Sequence, residues 1–260
     1  MRLLEDSGGA PRPLVTASAG NHGRALACAA AAVGLRLTVY VPENAPRTKL
    51  DAIRASGADL RPCASYDEAE HRAKDHAAAG NAMFISAYSH PDVIAGAGTV
   101  ALEILDDWPD VEAIVVPMGG GGLVSGIAIA VHALRPSTEV AGAEVAASCP
   151  FTKGRAAGRI VDIDVLPTLA DGLAGNLDRD TVTFDVVQRL VRRIAVVGED
   201  DLVRAIAGLA RQETLIVEGA GAAAAAAVLS RTLDVRERRV AVVLSGANID
   251  AEKLATILKG

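Results

Sequence analysis

The chain reads as an α/β protein of two domains, each a parallel sheet flanked by helices, and three observations predict it. Short β-branched runs alternate with longer Ala-rich stretches of helical length along almost the whole sequence, the pattern of βαβ units around parallel strands. Half of the 260 residues are hydrophobic yet only 3% are aromatic, so the core is built from Ala, Val, Leu and Ile, which suits helices lying close on a buried parallel sheet. The rhythm breaks once, around "SHPDVIAGAGT", which places a crossing between domains near residue 90.

Taken in order, residues 1–12 read as the remnant of a helix and a connector. Leu3 and Leu4 precede "SGG" and a Pro-containing link, the way a helix stops, while one or two turns alone do not outweigh the cost of nucleation. Either this is a frayed tail or the chain starts inside an element whose earlier part is missing. A small domain over 13–90 then takes the strands "PLVTA", "LRLTVYV", "DLRPC" and "AMFIS", separated by helices such as "HGRALACAAAAVG" and "PRTKLDAIRASG", the latter closed by Gly57. A larger domain over 91–260 takes "EAIVVP", "EVAGAE", "RIAVV" and "RVAVVLS". Within it "EGAGAAAAAAVLS" is low in complexity. Alanine is the best helix former and small enough for close packing on a sheet, so this stretch reads as a buried helix rather than a linker.

The formal net charge of −6, with Lys and Arg scattered among Asp and Glu, leaves no basic stripe for a phosphate backbone, which argues against nucleic acid as a partner. Cys28, Cys63 and Cys149 are odd in number and lack the paired spacing of a zinc site or a disulfide framework. A reducing, cytoplasmic setting is expected. No uninterrupted apolar run of membrane length and no signal-peptide layout stand in the sequence, so no membrane partner is expected either.

Three strand ends carry groups suited to a ligand. After "AIVVP" come Gly119, Gly120, Gly121 and Gly122, leading into an apolar helix; glycines let the backbone approach an anion, and the free N–H groups of the helix start complement its charge. A flexible turn is the plainer alternative, and the run is neither a Walker sequence nor a full dinucleotide fingerprint. In "LVTASAGNHG", Ser18, Ala19, Gly20, Asn21 and His22 also join a strand to a helix, where small residues suit a carboxylate and the Asn21 amide donates and accepts; the alternative is that Ser18 or Asn21 only caps the helix. In "VVLSGAN", Ser245 offers a hydroxyl at the carboxyl edge of a sheet, or simply a turn.

Together with "VPENAPRTKLDAIRASGA", "HPDVIAGAGTVALEIL", "ADGLA" and "VEGAGAAAAAA", these segments occur in the order of one family. The chain resembles the threonine/serine dehydratases, fold-type II (tryptophan synthase beta-like) enzymes that use pyridoxal 5'-phosphate (PLP), a group that also includes serine racemases. The resemblance implies that Gly119, Gly120, Gly121 and Gly122 hold the cofactor phosphate, Asn21 bonds the ring hydroxyl and Ser245 faces the pyridine nitrogen. It implies further that Gly172 lies beside the ring with Glu218 as a neighbour, and that Ser18, Ala19, Gly20 and His22 border the substrate carboxylate. A Ser rather than an Asp at the pyridine nitrogen makes the ring a weaker electron sink, which favours loss of a β-hydroxyl over transamination. The implied activity is an ammonia-lyase turning a β-hydroxy amino acid, L-threonine or L-serine by default, into a 2-oxo acid and ammonia. A dehydratase of 3-hydroxyaspartate or another β-substituted amino acid is the close rival. A homodimer is implied as well.

The chain departs from the family in four places. The family's Schiff-base lysine sits in a Ser-x-Lys-x-Arg-Gly-Ala segment upstream of the first loop. Here Lys49, Lys74, Lys153, Lys253 and Lys259 all lie elsewhere. The expectation is an N-terminally truncated chain that lacks part of its larger domain, from a start assigned too late, a decayed gene or a real short protein, with weak PLP binding and little elimination. A lysine-less protein that binds PLP or an amino acid without chemistry is the reading from another class. Ala97 stands where the family usually has Gln, and Ala19 where racemases usually carry a second Ser, which favours a dehydratase. Glu144 matches the start of a divalent-cation site of some relatives, but Pro150 replaces its downstream carboxylate, so no metal is assigned.

Overall fold

The computed structural model describes residues 12–43, 45, 47–80 and 82–260. The expected helix remnant over 1–12 lies, but for Arg12, outside the described residues. The chain falls into two compact units that divide between Asp92 and Val93.

The first unit runs β1 (Leu14–Ala17), α1 (Asn21–Ala32), β2 (Leu37–Pro42), α2 (Arg47–Ala55), β3 (Asp59–Cys63), α3 (Tyr66–Ala78) and β4 (Met83–Phe84). Its strands pair in parallel in the order β3-β2-β1-β4, with Val15 opposite Thr38 on one side and Phe84 on the other. Ala69 and Ala73, four residues apart on α3, are fully buried with Val15, Ala17 and Tyr40, so alanine methyls let the helix lie down on the sheet. Ser65 starts α3 by accepting from the Glu68 N–H at 3.1 Å, and Gly57 ends the α2 segment in the left-handed region at φ 82°.

The second unit is longer. It contains α4 (Pro91–Asp107), which starts just ahead of the division, β5 (Ala113–Pro117), α5 (Gly122–Leu134), β6 (Glu139–Val145), α6 (Pro150–Ala157), a 3₁₀ turn (Asp171–Leu173) and α7 (Thr183–Leu190). It closes with β7 (Arg193–Val197), α8 (Glu199–Gln212), α9 (Gly219–Leu229), β8 (Val240–Val242) and α10 (Ala251–Lys259). All pairings are parallel, in the order β7-β6-β5-β8. Strand alternation sends Val115 into a cluster with Leu202, Ile206 and the α9 alanines, and Ile114 and Val116 into another with Ala101, Leu105, Val124 and Ile127. Helices therefore cover both faces, which is why every residue of β5 is buried. The alanine run is a buried helix: residues 219–227 are all inaccessible, and no larger side chain leaves room for α9 to sit so flat on the sheet.

All eight strands read from the sequence are present, and the two sheets share one order: the first strand is central, the second and third extend to one side, and the fourth lies on the other. The order reverses between β1 and β4, and again between β5 and β8. At such switch points the loops beyond the carboxyl ends of the strands part and leave a crevice for a ligand. Among the described residues no helix is long and apolar enough to cross a membrane.

Candidate functional site

In the second unit the switch point is built from glycine. β5 ends at Pro117, the Met118 N–H still donates to the Ala143 carbonyl at 2.9 Å, and the chain then turns through Gly119, Gly120 and Gly121 into α5, whose first residue is Gly122. Gly121 makes that turn at φ 85°, ψ 1°, a left-handed conformation costly for any residue with a Cβ. Val115 faces Val242 across the parallel pair and the Val243 N–H donates to the Val115 carbonyl at 2.9 Å, so β5 and β8 leave the sheet side by side and bring the glycine turn and Ser245 to one edge. The Ser245 side is exposed.

Backbone contacts tie the other expected residues to this edge. A Cβ on Gly119 would stand 2.8 Å from Leu173 Cα, so the glycine turn lies directly against the 3₁₀ turn that contains Gly172. A Cβ on Gly172 would in turn meet the Ala220 methyl at 3.1 Å. The Glu218 N–H donates to the Gly246 carbonyl at 3.0 Å, which joins the buried residue before α9 to the one after Ser245. Gly119, Gly120, Gly121, Gly122, Gly172, Glu218 and Ser245 thus gather at the carboxyl edge of one sheet.

Beneath the turn lies a floor that sequence reasoning missed. The Thr183 hydroxyl donates to the Gly120 carbonyl at 2.8 Å, and its own oxygen lies 2.8 Å from the Thr181 hydroxyl. The Phe151 ring lies under Gly121, where an added Cβ would be 2.6 Å from its Cζ, and Phe184 stacks on Phe151 with ring centroids 6.2 Å apart. Phe151 is held by Glu144, fully buried at the carboxyl end of β6: Oε1 accepts from the Phe151 N–H at 2.8 Å, and Oε2 from the Thr152 N–H at 2.8 Å and the Thr152 hydroxyl at 2.6 Å. Burial pushes the Glu144 carboxyl up from the ordinary range, and these donors oppose the shift. Both oxygens serve the start of α6, and among the described residues no group of three or more His, Cys, Asp or Glu stands together to hold a metal ion.

The first unit presents its own strand end. The Ser18 oxygen accepts from the Gly20 N–H at 3.2 Å and the Gly23 N–H at 3.1 Å, which ties the loop to the first turn of α1, whose N-cap residue is Gly20. Ala19 and Gly20 are half-buried, and Asn21 opens α1 on an exposed position. His22 turns inward: Nε2 lies 3.1 Å from Thr16 Oγ1 and 3.2 Å from the Ile85 carbonyl, while the Thr16 hydroxyl donates to that same carbonyl at 2.7 Å. With the Thr16 proton engaged, Nε2 is the donor. Burial holds the imidazole below its ordinary value, which makes it neutral at physiological pH.

An open parallel sheet whose switch-point strand runs through glycines into a helix N-terminus marks the class of α/β proteins whose strand ends suit a phosphate. A profile of the family described as "Pyridoxal-phosphate dependent enzyme" matches residues 2–246, and the chain belongs to that family. It is 39% identical over 248 residues to an L-threonine ammonia-lyase of Thermotoga maritima, covering 95% of this chain and 61% of that protein. It is 36% identical over 254 residues to a serine racemase of Homo sapiens, covering 96% of this chain and 74% of that one. Among solved structures, the processed form of threonine deaminase isoform 2 from Solanum lycopersicum matches with a TM-score of 0.90 at 28% identity, over 99% of this chain and 76% of that one. The chain thus spans 61% of the length of the Thermotoga relative.

The second unit suits the phosphate end of PLP. The first-turn N–H groups of α5 have no partner within the helix, the half-buried Gly119 and Gly120 add backbone beside them, and an anion complements both. The five lysines offer no comparable fit. Lys49 lies on α2, Lys74 on α3 paired with Glu70 at 3.1 Å, Lys153 on α6, and Lys253 and Lys259 on α10.

Proposed function

We propose that the chain carries the PLP-binding core of an ammonia-lyase for β-hydroxy amino acids, with L-threonine or L-serine as substrate. The observation that carries this is the meeting of the glycine turn with Ser245 at the β5/β8 switch point. In this reading Gly119, Gly120, Gly121 and Gly122 hold the phosphate through backbone N–H groups, and Ser245 offers the pyridine nitrogen a neutral hydrogen bond. Gly172 and Glu218 border the ring, and Asn21 bonds its hydroxyl. The Ser18 to Gly20 turn receives the substrate carboxylate, with His22 setting its shape from behind as a neutral buttress. When bound, PLP supplies an electron sink beside the carbon that loses its proton. The serine keeps that sink modest, which favours expulsion of a β-hydroxyl, and Ala19 has no proton to return to the carbon. The domain extents 13–90 and 91–260, a homodimer and a cytoplasmic setting belong to the same proposal.

None of the five lysines of these 260 residues stands in the family's position, so the 260-residue polypeptide assayed by itself is expected to eliminate slowly. A second reading is a protein that holds PLP or an amino acid without chemistry. The test incubates the 260-residue chain with PLP and L-threonine, L-serine or 3-hydroxyaspartate, and measures 2-oxo acid and ammonia against a PLP-only blank. The expected result is bound PLP and equal amounts of both products, formed well below the ~1 s⁻¹ floor of ordinary enzymes. Amine transfer or racemisation instead would overturn the lyase reading. Tight PLP binding with no product would favour the second, and turnover above that floor would refute the impairment.

A further inference from the structure

The Thr183 hydroxyl has one proton, and the Gly120 carbonyl at 2.8 Å receives it. The contact with Thr181 therefore runs the other way, with the Thr181 hydroxyl donating to Thr183 Oγ1 at 2.8 Å. Thr183 is fully buried at the start of α7, and a Cβ on Gly121 would lie 3.1 Å from its own Cβ, so the side chain sits directly under the turn. A trans peptide unit is planar, with its C=O and N–H pointing in opposite directions. Fixing the Gly120 carbonyl inward therefore turns the Gly121 N–H outward, away from the floor. Phe151 backs the same turn.

We propose that Thr183 is a positioning residue for the cofactor phosphate, which orients the Gly120–Gly121 peptide so that the Gly121 N–H meets the anion. This rests on the reading of the glycine turn as the phosphate site. It adds to it a residue 63 positions away in sequence that never touches the ligand.

The test compares Thr183→Val, which keeps the shape and removes the hydroxyl, with Thr183→Ser, which keeps the hydroxyl. Titration calorimetry measures PLP, inorganic phosphate and the phosphate-free pyridoxal on each protein, alongside melting temperature. T183V is expected to weaken PLP and phosphate about tenfold, the worth of one oriented hydrogen bond, and to leave pyridoxal unchanged, while T183S stays within about twofold of the parent for all three. Equal loss of PLP and pyridoxal, or no loss at all, would overturn the assignment. If the parent chain binds neither PLP nor phosphate, the phosphate-site reading itself fails. Should T183V not fold, Thr181→Val removes the donor behind Thr183 and is expected to weaken PLP and phosphate about threefold with pyridoxal unchanged; an unaltered affinity there contradicts the proposal.

Discussion

The two units share a strand order but finish their switch points in opposite ways. Between β1 and β4 the protein fills the strand end with its own polar groups: Thr16, His22 and the Ile85 carbonyl bond one another, and Ser18 binds two backbone N–H groups. Between β5 and β8 it sets a glycine backbone in a left-handed turn, supported from underneath, beside the exposed Ser245. A side chain at a strand end costs a ligand its place but fixes the loop. Glycine leaves the place and requires support from below, and Thr183, Phe151 and Glu144 provide it. One topology therefore yields a strand end occupied by polar side chains in the first unit and a glycine turn backed from below in the second.

The largest effect that breaks this contrast is expected from Gly121→Ala. The added methyl faces both the strain of a positive φ and the Phe151 ring, together about 2 to 6 kcal/mol. Calorimetry should show PLP affinity lost by two orders of magnitude or more, with a clear fall in melting temperature. A variant that binds PLP like the parent would mean that the turn has no special role.

A smaller effect sharpens the other half of the comparison. Desolvation depresses the His22 pKa below 6.5, so the unfolded chain takes up the proton first, and the first unit is expected to lose stability as pH falls below 6.5. Urea midpoints at about pH 5.5 and about pH 7.5 measure the drop, and His22→Asn should flatten it at a cost of about 1 kcal/mol near neutrality. An equal acid drop in both proteins would assign it to other groups.

How much of this was legible in the sequence depended on range. The strands announced themselves because parallel strands buried on both faces read as near-continuous β-branched runs, as "AIVVP" does. The alanine helix was legible because composition alone fixes what packs so closely. The glycines at 119–122 stood out because four together between a strand and a helix suit an anion, with a flexible turn as the plainer alternative. The support beneath them did not: Thr183 and Phe151 sit in unremarkable stretches, and only the fold sets them under Gly120 and Gly121. At Ser18 the residue was legible but its use was not, since a bond to the loop's own backbone and a ligand contact need the same hydroxyl in the same place.

The most direct test of the central idea is a crystal structure of the 260-residue chain grown with PLP. The account predicts the phosphate on the backbone N–H groups of the 119–122 turn and the Ser245 hydroxyl within about 3 Å of the pyridine nitrogen. PLP seated anywhere else, on a surface lysine such as Lys153 for example, would contradict it.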